Sequence, residues 1–279
     1  MPLTLTPKLS LDKTLLLTAA LGLVAAAPVH GQVITDDDFE LATGTLTDTS
    51  PDINSYGSDD WAFWTSTNGL TDDGTNPIDN RLSGGSNIIS DLTVGFPSTP
   101  GGVTYAMGSA GTGELQWTWT GGSSTASGTD VNLDVPEIRE NGSSDGIEGS
   151  SFQLSFTSQS LQQHDVTIWG VSRRLGEQNA VNTVTASAPG ATSAVFVIDN
   201  AAGDPANNQS WRYSVSYTPQ TIGDELTVDF VINEVSNARN SDFGISAAAV
   251  SIVPEPGVYG LIAGALTLGF VAVRRRRRA

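Results

Sequence analysis

The chain has 279 residues, with 30 acidic and 13 basic side chains, two histidines, no cysteine and a formal net charge of −17 at pH 7. That length makes one large or two small domains with enough apolar content to build a core. The negative field argues against nucleic acid or anionic lipid as partners of the body, and the missing cysteines exclude both a disulfide framework and a thiolate metal site.

The first element is a targeting segment. Lys8 and Lys13, the only lysines, precede the apolar stretch TLLLTAALGLVAAA, and Val29 and Gly31 supply small residues at the −3 and −1 positions of a cleavage site. Residues 1–31 therefore read as a signal peptide cut between Gly31 and Gln32, and the protein as exported. A buried helix of a mature domain would explain neither the lysines before this stretch nor the acids after it.

Between Val33 and Val253 there are six basic residues, Arg81, Arg139, Arg173, Arg174, Arg212 and Arg239, against 28 acidic ones. Residues 33–100 are irregular, with aromatic anchors at Phe39, Tyr56, Trp61, Phe63 and Trp64 among polar stretches. They read as the first strands and covering loops of the same domain; the alternative is a separate small N-terminal domain, for which the Gly/Ser/Thr stretch from Ser98 to Gly113 is the best candidate boundary. Two acidic segments, DDDFE at Asp36–Glu40 and DDGTNPIDN at Asp72–Asn80, place hard oxygen ligands at short intervals in expected loops. Structural calcium at Asp72, Asp73 and Asp79 is the one metal expectation, although the spacing is not that of an EF-hand. No other cofactor is expected.

From Leu115 onward the period is two. ELQWTWT puts Leu115, Trp117 and Trp119 on one face, and SFQLSFTS does the same with Phe152, Leu154 and Phe156. In DVTIWGVS, Trp169 falls out of phase with Val166, Ile168 and Gly170 and is expected on the other side of its sheet. VNTVTASA, SAVFVIDN, WRYSVSYT, ELTVDFVI and FGISAAAVSIV continue the series, broken by turn chemistry such as NGSSDG, APGATS and PQTIGDE. The expectation is an all-β body over residues 32–252, an antiparallel β-sandwich or jelly roll without amphipathic helices.

Trp117 and Trp119, two apart on one strand, suit either a core or a flat platform on which sugar rings stack. His164, the one histidine after the signal peptide, reads as a hydrogen-bonded or solvent-facing edge residue rather than part of a triad or metal site. No nucleophile elbow, phosphate loop or His-Glu-x-x-His motif occurs, so no enzyme is expected. A two-carboxylate glycoside hydrolase or a lyase stays in view only because acids are plentiful.

The last element, residues 253–279, joins Pro254, Glu255 and Pro256 to an uncharged run from Gly257 to Val273 and five arginines, Arg274, Arg275, Arg276, Arg277 and Arg278. Its 17 residues, at about 1.5 Å each, span roughly 25 Å as a helix, a thin but feasible membrane crossing. The arginines are held on the cytoplasmic side as a stop-transfer anchor, which leaves the body outside.

This order of motif, apolar helix and terminal arginine cluster, joined to a signal peptide, resembles the PEP-CTERM sorting signal of exported proteins in Gram-negative bacteria that make exopolysaccharide. The resemblance covers about the last 27 residues and departs from the family in placing Gly257 and Val258 where a small polar pair is common. It implies that an exosortase, a membrane-embedded transpeptidase-like enzyme, reads Pro254, Glu255 and Pro256, with the helix as a transient anchor. It further implies a precursor anchored in the inner membrane and a mature body at the cell surface or in the extracellular matrix. The role expected of that body is structural or adhesive in exopolysaccharide or biofilm; the alternative is a carbohydrate-binding module.

Overall fold

The computed structural model describes residues 33–41, 50–64, 74–95, 105–111, 117–130, 134–140, 149–173, 180–191, 194–199, 209–235 and 242–254, together with 264, 266–268 and 274. The signal peptide, Asp72, Asp73, Glu255, Pro256 and Arg275 to Arg278 lie outside the described residues.

In chain order the elements are β1 (Val33–Leu41), the four-residue helix α1 (Ile53–Tyr56), β2 (Asp60–Phe63), β3 (Thr75–Asn76), β4 (Asn80–Arg81), β5 (Leu92–Gly95), β6 (Tyr105–Gly111), β7 (Trp117–Thr120) and β8 (Ser127–Asp130). They continue with β9 (Asp134–Glu140), β10 (Ser151–Thr157), β11 (Gln163–Arg173), β12 (Ala180–Ser187), β13 (Ala194–Asp199), β14 (Gln209–Thr218), β15 (Glu225–Val235) and β16 (Asp242–Val253). Apart from α1 the described body is all-β, and its strand pairs are antiparallel.

One sheet runs β1-β14-β11-β16-β2-β4, with β9 joined to β16 and β6 to β9. A second runs β13-β12-β15-β10-β5-β3, and β7 and β8 form a hairpin of their own. Residues 33–100 are no separate domain: β1, β2 and β4 enter the first sheet and β3 and β5 the second. The segment DDDFE is not a loop but part of edge strand β1, whose register slips between Asp36 and Asp38. Its Glu40 pairs with Arg212 at 2.6 Å.

Alternation decides what is buried. On β10, Phe152, Leu154 and Phe156 are buried while the residues between them are half-buried. They meet Leu226, Val228 and Phe230 of β15 and, from the first sheet, Val166, Ile168, Tyr213, Val215 and Val250 in a single core between the sheets. The first sheet is covered on its other face as well. There Trp169 packs with Ile53, Trp61, Phe63, Trp117, Trp119, Ala247 and Ala249, as its phase on β11 required.

Strand β16 must therefore serve two cores at once. Between Trp169 and Gly170 its register against β11 skips Ser246, so that Ile245 and Ala248 both face the main core while Ala247 and Ala249 face the aromatic one. The extra residue is a β-bulge, held by Ser246 Oγ donating to the Trp169 carbonyl at 3.0 Å. At Gly170 a side chain would run into the Trp211 ring and the Gly244 carbonyl, so the strand passes there only as glycine.

Among the described residues, one acidic side chain is fully buried beside the core. Asp60 is 0% exposed, and its Oδ2 accepts from Arg81 Nη2 at 2.8 Å, from the Ile88 amide at 2.8 Å and from the Ile89 amide at 3.1 Å. A buried carboxylate is tolerated only with such partners, and these three fix the 81–89 segment against β2.

Candidate functional site at the end where the chain leaves the body

The register of the first sheet places Ile34, Tyr217, His164 and Ile252 in one row across β1, β14, β11 and β16. One residue further out, Val33 pairs with Thr218 and Gln163 pairs with Val253. The chain thus enters the body at Val33 and leaves it at Val253 on the same end of the sheet, three strand spacings or roughly 14 Å apart.

The segment between α1 and β2 fastens the last residues of β16. Asp59 Oδ2 accepts from the Ile252 amide at 2.7 Å and from Ser58 Oγ at 2.8 Å, and the Asp59 amide donates to the Val250 carbonyl at 3.2 Å. Ser251 Oγ donates to the Tyr56 carbonyl at 2.8 Å and accepts from the Ser58 amide at 3.1 Å. Pro254, which has no N–H to add to a ladder, follows directly and is exposed. Backbone pairing therefore stops at Val253, directly before Pro254.

His164 is not the edge residue expected from its sequence. It lies on β11, with β14 on one side and β16 on the other, and is 2% exposed. Its Nδ1 is 2.8 Å from the Gln162 carbonyl and so carries the proton, whereas Nε2 is buried without a hydrogen-bond partner. Burial pushes its pKa below the ordinary 6.5, against the opposing pull of the Gln162 carbonyl, Asp59 and Asp165. The ring is neutral and belongs to the core.

Two crossover loops close this end, residues 158–162 from β10 to β11 and residues 219–224 from β14 to β15. They are bonded to each other: the Ser158 amide donates to the Asp224 carbonyl at 2.8 Å, the Gly223 amide to the Ser158 carbonyl at 2.9 Å, and Ser158 Oγ to the Thr221 carbonyl at 3.1 Å. Asp224 sets the second loop by accepting from Thr221 Oγ1 at 2.6 Å, the Thr221 amide at 2.8 Å and the Gln220 amide at 2.9 Å. The Thr221 hydroxyl, and after it the amides, hold this carboxyl below its ordinary range.

The tryptophan platform is overturned. Trp117 is 0% and Trp119 8% exposed; Trp117 stands edge-on to Trp169 at 5.1 Å and to Phe63 at 5.5 Å. The Trp119 indole N–H donates to the Thr125 carbonyl at 3.0 Å. Their faces are covered because the β7–β8 hairpin folds onto the outer face of the first sheet. Of the calcium set, only Asp79 lies among the described residues, where no group of three or more acids and histidines could hold a metal ion. Gly264, Leu266, Thr267, Leu268 and Arg274 are each helical and exposed, and among the described residues no helix is long and apolar enough to cross a membrane.

Sequence reading missed the Asp59 and Ser251 clasp, whose partners are 193 to 195 positions apart. It also missed what Asp224 does inside a segment recognised only as a turn; the Thr-x-x-Asp spacing of TIGD was the available signal. Comparison of the chain with protein-family models, with curated proteins and with solved structures returned no match.

Proposed function

We propose that the chain is an exported cell-envelope or extracellular-matrix protein, sorted by an exosortase, whose body is a β-sandwich with a non-enzymatic structural or adhesive role in exopolysaccharide or biofilm. Residues 1–31 are its signal peptide and residues 257–273 its transient membrane helix, with Arg274 to Arg278 in the cytoplasm.

The observation that carries this reading is the shared end of the sheet at which the chain enters and leaves. A precursor held by targeting segments at both termini can fold without threading either one past the body. A second feature agrees with it. Val253 completes its strand and Pro254 lies outside the ladder, so cleavage at the motif removes nothing on which the core depends.

Mass spectrometry of the protein recovered from the medium and the cell surface tests the proposal. The expected mature chain starts near Gln32 and ends near Pro254–Val258 without arginines. Replacing Pro254 and Glu255 together by alanine is expected to leave the full-length precursor in the inner membrane. A surface-exposed chain that still ends in the arginines overturns exosortase sorting.

A further inference from the structure

Among the described residues of the two sheets and their loops, three large hydrophobics are exposed: Val33 at 49%, Leu161 at 52% and Ile222 at 66%. Single exposed hydrophobics are ordinary. The loops at the opposite end, 42–49, 96–104, 174–179, 200–208 and 236–241, lie outside the described residues; at the end at which the chain enters and leaves, the three stand together, since Val33 opens β1, Leu161 lies in the loop before Gln163, and Ile222 lies in the loop after Thr218.

Nor are these tips loose. The two loops share the Ser158, Gly223 and Asp224 hydrogen bonds described above, and Asp224 fastens the turn on which Ile222 projects. Fixed geometry behind an outward apolar residue keeps that residue from turning back to cover itself.

We infer that this end is a lipid-contacting surface, and that Val33, Leu161 and Ile222 insert into the headgroup layer of the membrane carrying the precursor. The inference rests on the anchored precursor proposed above. The occupant is identified by the length of the link. Only Pro254, Glu255 and Pro256 separate Val253 from the apolar run that begins at Gly257.

Three residues in proline-rich extended geometry cover about 9 Å. The polar layer on one side of a bilayer is roughly 5–7 Å deep, so the link is nearly used up in crossing it. The end of the body is left against the lipid surface. There, exposed aliphatic tips gain from burial at the boundary between headgroups and acyl chains. Charge narrows the lipid class: the described residues of these loops contribute Asp224 and, where β15 starts, Glu225, with no lysine or arginine. A zwitterionic surface suits this end and an anionic one does not.

The absence of cysteine allows a direct test on the full chain. Leu161→Cys, Ile222→Cys and, as a reference on β5, Thr93→Cys each carry one environment-sensitive fluorophore. Each full-length variant is reconstituted into phosphatidylcholine vesicles with or without nitroxide-labelled lipid. Thr93 is exposed and pairs with Gln153, four positions along β10 from Thr157, where the strand reaches this end. Lipid-borne quenching at positions 161 and 222 is expected to be about threefold or more above that at 93, with a blue-shifted emission at the first two.

Equal quenching at all three positions in chain that floats with the vesicles overturns the inference and leaves the anchored precursor standing. A blue shift without lipid-borne quenching also overturns it, because the tips are then covered by protein, either the chain's own apolar helix or a second copy. Chain that fails to float overturns the anchored reading and the inference together.

Discussion

His164 carries a titratable group into the last row of the core, and the consequence is a pH dependence of stability with a definite sign. Its pKa in the fold lies below 6.5, the ordinary value that it regains on unfolding. Above pH 6.5 both states hold a neutral ring and stability is unaffected. Below it the unfolded chain binds a proton that the folded chain resists, and stability is lost until the pH passes the lower, folded value. The loss is at most about 1.4 kcal/mol per pH unit. His164→Asn keeps a donor for the Gln162 carbonyl and removes the titration. The expected result is that wild type loses stability to urea between pH 7.5 and 5.5, and that the variant loses measurably less over the same interval. Identical pH profiles would remove the argument. The sequence showed a lone histidine at the start of an alternating run. That its strand lies between two others depended on which strands flank it, and both come from beyond position 208.

Among elements, the strands were legible because a half-buried sheet writes its pattern at period two. Phe152, Leu154 and Phe156 on β10 and the displaced Trp169 on β11 fall where their phase put them. The aromatic cluster was harder to read. A strand with an indole at every second position looks the same whether its face meets protein or solvent, and only the folding of the β7–β8 hairpin over β2 and β16 settles which. Trp119→Ala is accordingly expected to cost about 3–5 kcal/mol of stability, as large-to-small changes at buried aromatics do, read from urea unfolding. If the body has the proposed matrix role, retention on exopolysaccharide under native conditions is expected to be the same for this variant and for wild type. A variant as stable as wild type but weaker on polysaccharide would restore the platform. The bulge at Ser246 left no trace in FGISAAAVSIV, because three alanines fit either face and hide the change of phase.

For the whole molecule, the position of β16 sets how much of the C-terminus the fold needs. It pairs with β11 along its length and also with β2 and β9, so its last row is part of the core wall. A chain of residues 32–254 is expected to melt at the same temperature as the full-length protein when both are measured in the same detergent by circular dichroism. A chain of residues 32–249 loses Val250 from the core and the Asp59 and Ser251 bonds, and is expected not to fold. A stable 32–249 product would mean that the final row is dispensable.

By itself the sequence determined the β architecture of the body and the expectations of a signal peptide, sorting motif and apolar anchor, because each is written in local periodicity, short-range order or charge placement. It also determined the acidic field, since charge is a sum over residues and needs no fold. Only the tertiary structure decided that Trp117 and Trp119 are core, that DDDFE is strand rather than loop, and that Val33 and Val253 share one end of a sheet. Each of these depends on pairing between segments far apart in the chain, where cross-strand neighbours are set by register and by which faces must be dry.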